Sequence, residues 1–300
     1  MVSSGQLSPA PLGTAATAPA EIDTVALGDL ASDPRWRRPV LLGKDLLVLT
    51  TGGHGTAELD FRALPCRPGT LLRVRAGQVL RCAGPQLDAT VVRWEAAALR
   101  GVDVDPDAIP ARIQLAGEDE DAVITEVSQL VVDCQRHQGV AAARGLLRHQ
   151  LAVLLLRLSL LPGCDHRATR AEAATFHRLC REVERGYQHT RRVEDYAARL
   201  DCSVRTLTRA CLAVTGRSAK QVVDERVALQ ASRLLAATDE PIARIGRRLG
   251  FSEPTNFGRF FTREVGVSPG VFRAAREQPV PGPVVRPRPP ADATGRPRGA

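Results

Sequence analysis

An eight-residue word that occurs twice restricts this chain most. YAARLDCS, Tyr196–Ser203, and IGRRLGFS, Ile245–Ser252, stand 49 residues apart. Each presents an apolar residue, a small residue, two positions of arginine or alanine, a leucine, a turn former, an apolar residue and a serine, in that order. A helix-turn-helix needs such an order: a small residue where its two helices cross, a turn residue that tolerates positive φ, and a serine to cap the second helix. The first copy supplies Ala197, Asp201 and Ser203, and the second supplies Gly246, Gly250 and Ser252. Asp is a weaker choice than Gly at the turn, but it enters the left-handed region more readily than most residues.

An amphipathic segment follows each serine, VRTLTRACLAVTG and EPTNFGRFFTREVG. Leu207, Cys211 and Val214 define the expected buried face of one, and Phe257, Phe260 and Phe261 that of the other. The second copy needs one extra residue to align Phe257 with Leu207. Pro254 suits a first helical turn, where no amide hydrogen is required. On the polar faces stand Arg205, Thr208 and Arg209 in the first unit, and Thr255, Asn256 and Arg259 in the second. These six are the candidate DNA-binding residues: arginine matches guanine in the major groove, and asparagine matches adenine. The competing reading of each arginine is a solvated charge or a phosphate clamp that carries no sequence information. Between the units, Ser218–Thr238 reads as about 20 helical residues, roughly 30 Å. That is near the 34 Å separating successive major-groove segments on one side of a duplex.

The charge has the same address. Residues 170–276 hold 20 Lys/Arg against 12 Asp/Glu, residues 1–169 hold 17 against 19, and the tail from Glu277 holds 4 against 2. The whole +8 excess therefore sits in the C-terminal third and its tail. A basic domain joined to a near-neutral one is the footprint of a polyanion-binding module attached to something else. Both ends, residues 1–24 and 277–300, are dominated by small residues and proline or by proline and arginine, and are expected to be disordered.

From Leu41 to Glu95 the pattern turns to short strands, DLLVLTT, TAELDF, TLLRVRAG and ATVVRWE, separated by glycine and proline turns. Residues 25–165 are expected to form a small antiparallel β-barrel or sandwich followed by two helices. In the second helix Leu147, Leu151, Leu154, Leu158 and Leu161 make a 4-3-4-3 seam, and Leu146, Val153 and Leu160 widen the apolar surface. One face can pack on its own domain and another on a partner helix; the alternative is an ordinary buried helix. A short polar connection near His166 is the expected hinge.

The C-terminal text closely resembles the AraC/XylS family of bacterial transcription regulators, in RVALQASRLL, PIARIGRRLGFSEPTNFGRFF and GVSPGVFR. About 105 residues are covered. HGTAELDFRALPCRPGTLLRVRAGQV is similar to that family's cupin-like sensing domain, although Leu80 stands where a histidine or another polar residue is usual. The resemblance implies an α+β chain: a cupin-like antiparallel β-barrel with dimerisation helices, then an all-α domain (residues 170–276) of two helix-turn-helix units joined by a linker helix. It also implies double-stranded promoter DNA, RNA polymerase, a small-molecule effector and a second copy of the chain as partners, with no cofactor.

An enzyme on a cupin barrel would need clustered metal ligands, and residues 1–136 contain only His54 among histidines. There is no G-x-S-x-G, and Cys202 and Cys211 read as core rather than nucleophiles. A DNA-free interaction module is the better rival, but it leaves two arginine-bearing helices unexplained. Seven scattered cysteines and no signal-like or membrane-spanning stretch give the expectation of a cytoplasmic protein.

Overall fold

The computed structural model describes residues 21–32, 36, 38–83, 87–104, 109–137, 140–161 and 170–277. Its N-terminal part holds nine strands: β1 (Ile22–Ala26), β2 (Val40–Leu41), β3 (Asp45–Gly53), β4 (Gly55–Leu59), β5 (Arg62–Cys66), β6 (Thr70–Val74), β7 (Val79–Ala83), β8 (Leu87–Trp94) and β9 (Arg112–Gln114). A short helix, α1 (Leu27–Ser32), follows β1. The strands form two antiparallel sheets, β1-β8-β3-β6-β9 and β2-β7-β4-β5.

Period-two alternation decides what each face meets. Leu46 and Val48 of β3, Leu72 and Val74 of β6 and Val91 of β8 pack against Ala57, Leu59, Cys66 and Leu80 of the smaller sheet. Leu47, Leu49, Leu71, Val92 and Trp94 point the other way, onto two helices. The five-stranded sheet is therefore a middle layer. β3 runs through it with Leu46–Thr50 buried on both faces, which is why Leu46–Leu49 is continuously apolar rather than alternating.

This takes the sandwich alternative of the strand pattern and departs from the closed barrel that the resemblance implies. No strand of one sheet pairs with a strand of the other among the described residues, so the domain is an open two-sheet sandwich. From β1 to β8 the chain changes sheet at every step except between β4 and β5. Among the described residues only β4 and β5 form a true hairpin, and its turn is Asp60-Phe61, both at positive φ (48° and 68°), the two-residue pattern that suits the strand twist. TAELDF accordingly ends in a turn instead of continuing as a strand. A second correction concerns the N-terminus: Ile22–Thr24, inside the stretch expected to be disordered, pairs with Val92–Trp94 as an edge strand. Residues 1–20, the hinge near His166 and residues 278–300 lie outside the described residues.

Helices α2 (Glu118–Arg136) and α3 (Ala143–Leu160) cover the outer face of the middle sheet. Four acidic residues, Glu118–Asp121, occupy the first turn of α2, where they complement the helix dipole. Of the predicted seam, Leu151, Leu154 and Leu158 are fully buried against the chain's own sheet, while Leu146, Val153 and Leu160 stand 46%, 50% and 84% exposed. Asp133 on α2 accepts hydrogen bonds from Gln129 at 2.9 Å and from Gln150 of α3 at 2.7 Å, tying the pair together.

The C-terminal domain is entirely helical among its described residues: α4 (Arg170–Gly186), α5 (Val193–Arg199), α6 (Val204–Thr215), α7 (Ala219–Ala237), α8 (Ile242–Arg248), α9 (Pro254–Val265) and α10 (Pro269–Glu277). Its core is strung along α7, where Val223, Val227, Ala231, Leu234 and Leu235 are at most 1% exposed. Ser218 caps α7 by a capping box with Gln221, so the helix begins where the sequence places it. α4 was not legible as an element of this domain, yet its Leu179 and Val183 belong to the same core.

The two halves touch through the β4–β5 hairpin. Arg233 on α7, itself buried, donates to both carboxylate oxygens of the half-buried Asp60, at 2.8 and 2.7 Å. Arg276 of α10 pairs with Glu58 at 2.5 Å and lies over the rings of Phe61 and Phe272, which themselves meet edge to face at 5.4 Å.

Candidate nucleic-acid interface

α5–α6 and α8–α9 are the two predicted units, and their turns are built from the same hydrogen bonds 49 positions apart. Cys202 N–H donates to Ala197 carbonyl at 3.0 Å and Phe251 N–H to Gly246 carbonyl at 3.0 Å; Asp201 N–H reaches Ala198 and Gly250 N–H reaches Arg247. This paired bonding ends a helix with a left-handed residue and an apolar residue after it. Asp201 (φ 50°) and Gly250 (φ 79°) take the left-handed position, as the sequence requires. The small residues also sit where predicted. A Cβ on Gly246 would stand 3.1 Å from the Cβ and ring of Phe257 on α9, and Ala197 is buried at the equivalent place.

The caps differ. Ser203 accepts from Thr206 N–H at 3.1 Å and starts α6. Ser252 does not cap α9; the extra residue of the second copy shifts the start to Glu253, whose carbonyl accepts from Asn256 and Phe257. Pro254 at the first helical position removes one of the amides a cap would otherwise serve.

On α6, Arg205 and Arg209 are exposed and Thr208 is half-buried; on α9, Thr255, Asn256 and Arg259 are all exposed. Their polar faces are turned out because Leu207 and Cys211, and Phe257, Phe260 and Phe261, turn in. Val214, assigned to the buried face of α6, is only half-buried. Arg209 is 71% exposed and lies 3.6 Å from Glu172 of α4, a contact that solvent weakens. Arg205 and Arg259 have no side-chain hydrogen-bond or ion-pair partner among the described residues, which leaves their donors open to an external acceptor.

Sequence reasoning missed a cleft of about 590 Å³ beside α9, lined by Arg191, Arg192, Lys220, Asp224, Phe251, Asn256, Arg259, Phe260 and Arg263. The dibasic Arg191-Arg192 immediately before α5 was the available signal. No group of three or more metal-ligating side chains occurs among the described residues. Cys211 and Cys180 are poor nucleophiles: burial pushes Cys211 up to about 11 and Cys180 up to about 12, so both stay protonated at neutral pH. No helix among the described residues is long and apolar enough to cross a membrane.

Two helix-turn-helix units on one buried helix define a DNA-binding domain. The helix-turn-helix domain family matches residues 196–275. The HTH-type transcriptional activator RhaS of Escherichia coli is 27% identical over 161 residues, 52% of this chain and 56% of that protein. The chain thus matches about half the length of these curated relatives. Among solved structures, an AraC-type regulator from Chromobacterium violaceum aligns with 37% of this chain and 100% of its own, at 23% identity and a TM-score of 0.34. ToxT from Vibrio cholerae aligns with 86% of this chain and 100% of its own, at 9% identity and a TM-score of 0.44. Residues 196–275 thus match the helix-turn-helix domain family, and the chain is similar there to HTH-type transcriptional activators.

Proposed function

We propose that the chain is a sequence-specific transcription regulator that binds double-stranded promoter DNA in the cytoplasm. One observation carries this reading: two units whose turns share the same hydrogen bonds, one on each side of α7, each expose arginine and hydrogen-bonding side chains on the second helix. The 19 residues of α7 span about 28 Å, close to one turn of duplex. Arg205, Thr208 and Arg209 read one half-site; Thr255, Asn256 and Arg259 read the next. Phosphate contacts hold the protein on the duplex, and base-edge contacts select the sequence.

The N-terminal sandwich and its helices carry control and assembly in this proposal. A small-molecule effector or a protein partner binds one arrangement of the two halves in preference to the other, because only a differential affinity shifts such an equilibrium. The exposed stripe Leu146, Val153 and Leu160 of α3 supports a homodimer. Activation is the role named for the Escherichia coli relatives, and contact with RNA polymerase is the corresponding partner here.

The test is selection of duplexes from a random library by the full chain, followed by sequencing. The expected product is an enriched site with two half-motifs spaced by about one helical turn. Binding without enrichment of any sequence would remove sequence-specific regulation.

A further inference from the structure

The cleft beside α9 is the most strongly charged concave surface described above. Five cations line it against one carboxylate, Asp224. That carboxylate is already engaged by Lys220 and, at 3.3 Å, by Arg263, so its charge is answered within the protein. Arg191 is different. Its guanidinium carbon lies 3.6 Å from the centre of the Phe251 ring and 5.9 Å from that of Phe260, and among the described residues it has no hydrogen-bond or ion-pair partner. Burial pulls its pKa down, Asp224 raises it in part, and Arg263 adds to the lowering. A guanidinium that is partly desolvated, held in place by stacking and left without an acceptor is complementary to an anion from outside.

We propose that this cleft is a backbone-phosphate site, in which Arg191, supported by Arg192 and Lys220, receives a phosphate of the DNA strand whose bases face Asn256 and Arg259. The inference rests on the DNA-binding reading. The stack on Phe251 holds the planar guanidinium where it can present two parallel donors to phosphate oxygens, the geometry arginine provides and lysine does not. Phe251 is also the apolar residue that closes the α8 turn, so the phosphate site and the second unit share one piece of structure. A contact here sets the depth and register of α9 without selecting bases.

The experiment measures binding of the full chain to a mixed-sequence duplex across a salt series. It compares the unaltered protein with Arg191→Gln, Arg191→Lys and Lys220→Gln, and with Arg185→Gln on α4 as a distant charge control. Loss of one phosphate contact lowers the slope of log affinity against log salt by about one. Arg191→Gln and Lys220→Gln are each expected to show that loss, Arg191→Lys to show less of it, and Arg185→Gln to keep the original slope. Slopes for Arg191→Gln and Lys220→Gln equal to that of Arg185→Gln would overturn the phosphate site while leaving DNA binding intact. If Arg191→Gln fails to fold, Lys220→Gln decides alone, because its side chain is 55% exposed and Asp224 keeps Arg263 as a partner. Failure of the unaltered chain to bind the duplex would instead remove the functional reading itself.

Discussion

Gly250 has two separate reasons to be glycine. Its φ of 79° lies in the left-handed region, and a Cβ there would meet the Gln188 carbonyl oxygen at 3.0 Å. Gly250→Ala is therefore expected to cost at least about 1–2 kcal/mol of stability, measured by chemical denaturation. The equivalent Asp201 takes a φ of 50° with its own side chain, so the first unit tolerates what the second does not. Arg259 poses a question of contact rather than conformation. Arg259→Ala is expected to weaken binding to a selected site by about 1–3 kcal/mol and to change binding to random DNA less. An equal loss on both duplexes would make it a phosphate contact instead of a base reader. The placement of the six candidate side chains on α6 and α9 was legible because each follows from its position after a cap or turn. Arg191 was not, since its role depends on Phe251, 60 positions away along the chain.

At the scale of elements, the two stripes of α3 separate two kinds of stabilisation. Leu154 is 1% exposed against the sheet, and Leu154→Ala is expected to destabilise the fold by about 2–5 kcal/mol through the cavity it leaves. Leu160 is 84% exposed, and Leu160→Glu is expected to leave unfolding unchanged while converting a dimer to monomer in sedimentation analysis. A dimer that persists in Leu160→Glu would place the subunit contact elsewhere. The leucine spacing announced an apolar helix but could not say which stripe faces inward, because both repeat at helical intervals. Four of the strands were equally plain. β1, β2, β5, β7 and β9 were not read as strands: they are short or lack a clean alternation, and their identity comes from the partners they pair with.

For the whole molecule, the hairpin turn at Asp60-Phe61 joins the halves. Asp60 also accepts from Gln78 at 2.5 Å and from Val79 N–H at 3.1 Å, so one carboxylate links β7, the turn and the linker helix α7. Phe61 keeps a positive φ that a bulky residue rarely adopts, and its ring rests against Phe272 beyond the second unit. Asp60→Ala leaves the Arg233 charge buried without its partner and is expected to cost about 3–5 kcal/mol in denaturant unfolding. Adding Arg233→Leu should recover part of that loss, because the orphaned charge is then gone. Equal stability of Asp60→Ala and the unaltered chain would show that the contact contributes nothing to holding the halves together.

The repeated eight-residue words determined the two helix-turn-helix units, their turns and the helix between them, because each rests on bonds within about six residues of sequence. Periodicity also determined that apolar strands precede helices. Only the tertiary structure decided that the strands form an open sandwich, that the leucine seam serves the chain's own core, and that Asp60 meets Arg233. Those outcomes depend on which distant surfaces exclude water together, and a local pattern carries no information about its partner.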